Sequence, residues 1–200
     1  SSQSAEQLTK ADQIRLQTMA SIEELLKSSR GDQTRNFELY MRLAELYAER
    51  HDYLRDLEMN SYEQAHSEWL QADSRGQEPQ FNQKESKAFL TKSANTYRDL
   101  VRKFPRHHRT DEALFTLAKT LVLLSNDNAE LYFKQLLSNH PNSSLVTDTH
   151  VTAGDFYFDT HQVPKAIEHY KSAMKNKDHP WYAYAVYKLA WSYYNAPAKK

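Results

Sequence analysis

The chain has 200 residues, 26 basic and 26 acidic side chains, no cysteine, three glycines and six prolines. Average usage would supply Gly and Pro at roughly 12% together, so this chain has too few turn residues for tight hairpins, Gly-rich phosphate loops or a many-turned barrel. Without cysteine there is no disulfide framework, no cysteine-based metal site and no thiol nucleophile. The longest strongly apolar run, residues 121–124, is far short of the ~20 residues that span a bilayer. What remains, rich in Leu, Ala, Glu, Lys, Gln and Tyr, predicts an almost entirely helical protein.

In chain order, the opening Ser1-Ser2-Gln3-Ser4 has no signal-peptide pattern and is expected to be a mature N-terminus or a cut boundary. Residues 5–29 carry Leu8, Ala11, Met19, Ile22, Leu25 and Leu26 on a helical stripe, with a connection expected over 28–34. Residues 37–72 contain neither Gly nor Pro and read as one long helix or a helix with a break. Breakers cluster at Asp73, Ser74, Gly76 and Pro79, placing a loop over 73–80. A helix follows from about Asn82 to Lys103, with Pro105 behind it. Asp111 and Asp148 are candidate N-caps for two further helices. Ser125-Asn126-Asp127-Asn128 separates the first of these from a helix stopped near Pro141. The turn at 160–164 does the same for the second, with Pro164 at the start of the next helix. Pro180 stops that helix, and residues 181–195 form the last one.

These helices repeat. Leu117, Ala118 and Leu121 recur 36 residues later as Ala153, Gly154 and Tyr157, and again as Leu189, Ala190 and Tyr193. Positions i, i+1 and i+4 share a helix face, and the small middle residue admits a close neighbour. Between these triplets a second pattern recurs: Ser93, Tyr97, Leu100, Pro105; then Ala129, Phe133, Leu136, Pro141; then Ala166, Tyr170, Ala173, with Pro180 late. The two patterns alternate, so each unit is a helix pair, A then B. Leu43, Ala44 and Tyr47 form an earlier A triplet, but its B partner begins about 37 residues later than in the regular units. Residues 5–29 fit the B helix of a degenerate preceding unit, with Ile22 and Leu25 in the aromatic and apolar slots.

The order Gly154, Tyr157, Ala166, Tyr170, Ala173 resembles the tetratricopeptide repeat (TPR) consensus at a period of 36 instead of the usual 34. The resemblance implies an all-α solenoid, a right-handed superhelix of antiparallel helix pairs. Its parts are an irregular region over 1–110 and regular repeats over 111–146, 147–180 and a half repeat 181–195. The last A helix has no B helix after it, and arrays need polar caps, so the natural chain is expected to continue past Lys200. The segments Tyr97-Arg-Asp-Leu-Val-Arg-Lys-Phe-Pro105 and Phe133-Lys-Gln-Leu-Leu-Ser-Asn-His-Pro141 look like B-helix endings of bacterial envelope TPR proteins, namely the outer-membrane assembly lipoprotein and the Tol–Pal-associated periplasmic protein. Met41-Arg-Leu-Ala-Glu-Leu-Tyr47 and residues 187–195 are similar to segments of large TPR proteins of gliding and predatory bacteria. A periplasmic location follows from that resemblance, with the cytoplasm as the alternative. The absence of cysteine departs from a lipoprotein anchor.

In TPR proteins the A helices line a concave groove that takes a peptide or a partner helix. Carried onto this chain, the lining includes Phe115, Lys119 and Val122, then Val151, Asp155 and Phe158, then Tyr187 and Trp191. Aromatic residues dominate binding hot spots, and a repeat array offers an extended concave surface. The alternative is that several of these side chains pack against a following repeat or against the extended N-terminal helix. The TPR subclass that clamps a C-terminal carboxylate needs Lys and Asn at positions that here hold Phe115, Lys119, Val151 and Asp155; only Lys119 suits.

Two charge features stand apart. Residues 1–80 carry nine basic and fifteen acidic groups, a net of −6, and residues 81–200 a net of +6. Arg98, Arg102, Lys103, Arg106 and Arg109 form a basic patch that suits an acidic partner. Cations at a helix C-terminus are also favoured by the helix dipole alone. No aromatic stacking motif accompanies them, so nucleic acid is not the expected partner. The nine histidines show no ligand spacing, and no H-E-x-x-H, nucleophile elbow or P-loop occurs. The expected function is therefore a non-catalytic protein–protein interaction scaffold without metal or cofactor. It is placed in an envelope or motility assembly, with a cytoplasmic adaptor or a self-associating structural module as alternatives.

Overall fold

A computed structural model describes residues 2–28 and 33–196 of the chain. Among them are eight helices: α1 (Ser2–Ser28), α2 (Gln33–Gln71), α3 (Lys84–Lys103), α4 (Thr110–Leu123), α5 (Ala129–Asn139), α6 (Val146–Asp159), α7 (Val163–Ala173) and α8 (Tyr182–Tyr194). No strand occurs among the described residues. The fold is all-α and built of antiparallel helix pairs in the manner of a TPR-like solenoid. The chain divides into two compact units, Ser1–Pro105 and Arg106–Lys200.

In the first unit α2 is the central strut and runs unbroken for 39 residues. Its first half packs against α3. Ala44 and Ala94 are buried where the two helices approach, and Ser93 donates from Oγ to the Ala44 carbonyl at 2.8 Å. Phe37, Leu90, Tyr97 and Leu100 fill the rest of that seam. At full burial each such side chain contributes roughly 1.5–3 kcal/mol. On the other side α1 packs Met19 and Ile22 against Leu43, Leu46 and Tyr47. Only this C-terminal half of the α1 stripe is buried. Leu8 is 55% exposed and Leu25 39%, and Ala11 is exposed, which corrects the register expected for them. In their place the buried residue of the N-terminal half is Asp12, held by Arg15 at 2.8 Å and by Arg50. The expected connection at 28–34 lies largely outside the described residues.

The second half of α2 outruns α3 and is covered by the segment that follows it. Asp73 and Ser74 both adopt positive φ, and Ser74 N–H donates back to the Trp69 carbonyl at 3.0 Å. This left-handed helix end is one that Asp tolerates better than most residues. Phe81 then returns to Tyr62, with ring centroids 5.7 Å apart. At the α3 N-terminus the N-cap residue Gln83 makes no side-chain cap, and from its own flank only Asn82 accepts a first-turn N–H, that of Lys84 at 3.0 Å. Glu58 of α2 supplies a cap from outside: its carboxylate accepts the backbone N–H of Glu85 and of Ser86, both at 3.1 Å, and the Ser86 hydroxyl.

The second unit is regular. Pairs α4–α5 and α6–α7 stack, and α8 lies against α7. The repeated residues of the sequence are its core: Leu117, Ala118, Leu121, Ala129, Phe133, Leu136, Ala153, Tyr157, Ala166, Tyr170 and Ala173 are all buried. The A-to-B turns repeat too. Ser125 and His161, 36 residues apart, both adopt positive φ, and the following residues donate to Leu121 and Tyr157. Three expectations need correction. Asp111 and Asp148 lie within the first turn of their helices, whose N-caps are Arg109 and Leu145. Pro180 does not stop α7, which ends at Ala173 well before it. Of the last triplet, Ala190 and Tyr193 are exposed because no helix covers them.

Candidate functional site

The A helices of the second unit lie side by side, α4 beside α6 and α6 tied to α8. The tie is a cluster around Asp155. Its carboxylate accepts the Tyr170 hydroxyl at 2.6 Å and the Tyr184 hydroxyl at 3.0 Å, and pairs with Lys188 at 3.1 Å. Burial, and then the bond to Asp155, push the Tyr170 hydroxyl well above the usual tyrosine range. Burial, and then the Asp155 charge, push Tyr184 up to about 12. Both tyrosines therefore stay neutral donors at any ordinary pH. A second tie sits at the other end of α6, where Asp148 accepts the Trp181 indole N–H at 3.1 Å and meets His179 at 3.2 Å.

These ties decide which lining residues face solvent. Val151 is only 5% exposed and packs with Ala173, Ala185, Met174 and Tyr184, so it is core and not groove lining. Asp155 meets donors from three side chains of its own unit and serves the fold first. Phe115 is partly buried with the Lys119 ammonium 5.3 Å from its ring centre, and Val122 is partly buried. Phe158 is partly buried beneath the Lys188 ammonium, 4.6 Å from the ring centre. Tyr187 is 63% exposed and Trp191 48%. The surface that results is an aromatic row from α4 across α6 to α8, with two lysines lying over its rings.

Where Phe158 meets Trp191 the row deepens into a cleft of about 410 Å³, completed by Asp159, His161, Val163 and Asn195. A second cleft, of about 490 Å³, lies in the first unit between the distal half of α2 and the returning chain, with Leu54, Leu57, Tyr62 and Pro79 in its wall. Glu58 lines it but is occupied by the α3 N-terminus.

The basic patch divides between the two units. On α3, Arg98 donates to Asn95 at 2.6 Å, Arg102 pairs with Asp99 at 2.8 Å, and Lys103 bonds the Tyr40 hydroxyl. In the second unit Arg106 is exposed, and Arg109 pairs with Glu112 at 2.8 Å. Local partners thus take up much of the charge that adjacency in sequence suggested.

One constellation was not anticipated. His150 of α6 and His169 of α7 bring their Nδ1 atoms to 3.0 Å, with His169 against the Tyr157 ring. Burial, then the mutual charge, lowers His150 to about 4. Burial, then Lys134, lowers His169 to about 4. On the adjoining surface Glu130 is held down to about 2, first by its bond from Lys134. The 19-residue separation crosses a turn, and no local pattern announces it. Among the described residues no three His, Asp or Glu side chains gather as a metal site would require, and no helix is long and apolar enough to cross a membrane.

A family comparison agrees with this architecture at the level of the repeat. The Tetratricopeptide repeat family matches residues 112–143, which are the α4–α5 pair and its exit turn. The chain therefore carries a tetratricopeptide repeat, and its helix pairs are TPR-like. Among solved structures, the crystal structure of BtubC (BKLC) from P. vanneervenii is similar at TM-score 0.49 and 15% identity, over 94% of this chain and 83% of that one. No curated protein matches the chain.

Proposed function

We propose that the chain is a non-catalytic protein–protein interaction scaffold whose second unit binds an extended peptide or a partner helix along α4, α6 and α8. The observation that carries this reading is the aromatic row whose end on α8, Tyr187 and Trp191, is exposed, while Phe115 and Phe158 are half-buried under lysines. An exposed apolar patch of this kind marks an interaction site, and aromatic side chains are the usual anchors of binding. Asp155 and Asp148 tie α8 to α6 across the row, and the better these ties hold α8 in place, the less binding loses to ordering.

The test is capture from the native source by the intact chain, by Tyr187→Ala and by Phe115→Ala, with melting temperatures measured alongside. A partner retained by the intact chain and lost by both variants at unchanged stability supports the groove. Equal capture by all three removes it. The likeness of the two B-helix endings to those of bacterial envelope proteins supports a periplasmic envelope or motility assembly as the setting. Fractionation of native cells checks this: recovery from the cytoplasm would favour the adaptor instead.

A further inference from the structure

Resting on that groove reading, we propose that the cleft between Phe158 and Trp191 takes the guanidinium of an arginine side chain presented by the partner segment. Four features of the cleft converge on a planar cation. First, α6 ends at Asp159 and α8 ends at Tyr194, so the C-terminal ends of two helices meet there. Each carries about half a unit of negative charge.

Second, the Asp159 carboxylate lines the cleft, is exposed, and makes no ion pair among the described residues. The neighbouring carboxylate, Asp155, already holds Lys188 at 3.1 Å. That pairing also neutralises the ammonium lying over Phe158, so the resident lysine does not repel a second cation at full strength. Third, the Trp191 ring stacks on Tyr194 through one face, with centroids 5.5 Å apart and planes at 20°. The ring is still 48% exposed and lines the cleft. Fourth, Asn195 at the rim offers an amide oxygen; its amide N–H donates to the Trp191 carbonyl at 2.8 Å, which fixes the side chain in place.

A guanidinium uses all of these at once. It stacks flat on an indole while its edge donates to a carboxylate and an amide oxygen. A lysine ammonium can sit over a ring and pair with one carboxylate, as Lys188 does with Phe158 and Asp155, but it has no planar face to lie flat on the indole and no forked edge to reach a carboxylate and an amide oxygen together. An apolar side chain would strip water from Asp159 and Asn195 and leave them unpaired. An anion would meet Asp159 and the C-terminal ends of α6 and α8, which together outweigh the one N-terminal end, that of α7 at Val163, that also lines the cleft.

The experiment is two-dimensional NMR of the intact chain, following the Trp191 indole N–H and the backbone along α4, α6 and α8. It is titrated with four blocked tripeptides that carry Arg, Lys, Leu or Glu between glycines. The arginine peptide is expected to shift the Trp191 indole saturably, and to bind about fivefold or more tightly than the leucine peptide, the range of an exposed ion pair plus a cation–π contact. Asp159→Asn is expected to lose that advantage with its melting temperature unchanged, since Asp159 is exposed. Added salt should weaken the arginine peptide and leave the neutral leucine peptide unchanged. Leucine or lysine binding as tightly as arginine, or Asp159→Asn binding arginine undiminished, overturns the arginine assignment and leaves the groove standing. If no peptide shifts any resonance along the three helices, groove and cleft fall together.

Discussion

Gly154 has no room for a methyl group. A Cβ built there would stand 2.6 Å from Cε1 and 2.8 Å from Cδ1 of Tyr170. The ring cannot swing aside, because it is fully buried and its hydroxyl is fastened to Asp155 at 2.6 Å. Gly154→Ala is therefore expected to destabilise by about 1–3 kcal/mol through overpacking, although alanine is normally the better helix former. Urea denaturation checks it, and an unchanged midpoint would refute the close crossing of α6 and α7.

The His150–His169 pair gives a second expectation at the same scale. Both folded-state values, about 4, lie below the ordinary 6.5, so the unfolded chain binds more protons between those limits. Their contribution is fully present above about pH 6.5 and is lost as pH falls toward about 4. The slope is about 1.4 kcal/mol per pH unit for each proton taken up. Lys175 beside His150, and Lys134 and Lys165 beside His169, add to the penalty for charging, while Glu130 opposes it. Melting temperatures from pH 7.5 to 4.5 should fall more steeply for the intact chain than for His169→Gln. Parallel curves would show that other groups govern acid sensitivity.

At the scale of elements, α3 is started by a residue far away in sequence. Glu58 satisfies two of its free N–H groups and the Ser86 hydroxyl, and places a negative charge at the positive end of the helix dipole. Glu58→Ala should cost about 0.5–2 kcal/mol, the range for losing a cap, and Glu58→Gln should recover part of it. Equal midpoints for all three in urea would show that water replaces the carboxylate freely. This cap also marks where reading from sequence stops. The helix pairs were legible because burial repeats: Ala118 and Gly154, and Leu121 and Tyr157, recur 36 residues apart, Phe133 and Tyr170 recur 37 apart, and all are buried. Partners that meet across a turn or along an irregular helix follow no period. Glu58 and Ser86, His150 and His169, and Asp12 and Arg50 were therefore invisible; Leu8 was misplaced because the stripe's periodicity continues past the packed half of α1, and Leu25 because its neighbour Leu26 takes the place against the core. The groove was half legible. Helix phase put Val151 and Phe158 on one face, but only tertiary packing shows that Tyr184 and Ala185 of the next helix close over Val151.

At the scale of the molecule, burial is distributed unevenly along the array. Nearest-neighbour stacking sets the stability of each repeat, so a helix covered on one side only should open first. In α8 only Ala185 and Ser192 are buried, whereas α4 and α6 bury seven residues each. The N-terminal half of α1 is similarly bare, with Leu8, Ile14 and Leu16 exposed. Hydrogen exchange followed by mass spectrometry should find α3, α4 and α6 the most protected. Amides of α8 and of the first half of α1 should exchange at least about tenfold faster, a gap of about 1.4 kcal/mol in opening free energy. The ties of Asp155 and Asp148 to Lys188, Tyr184 and Trp181 work against this by fastening α8 to α6. The balance has a functional side, because Tyr187, Trp191 and Asn195 all ride on this last helix or its cap. If α8 opens readily, a bound partner must order it and affinity is reduced accordingly. In that case the arginine peptide should slow exchange in α8 while leaving α4 unchanged. Protection of α8 equal to that of α6 in the free chain would show instead that the two aspartate ties suffice and that the aromatic row is already set before a partner arrives.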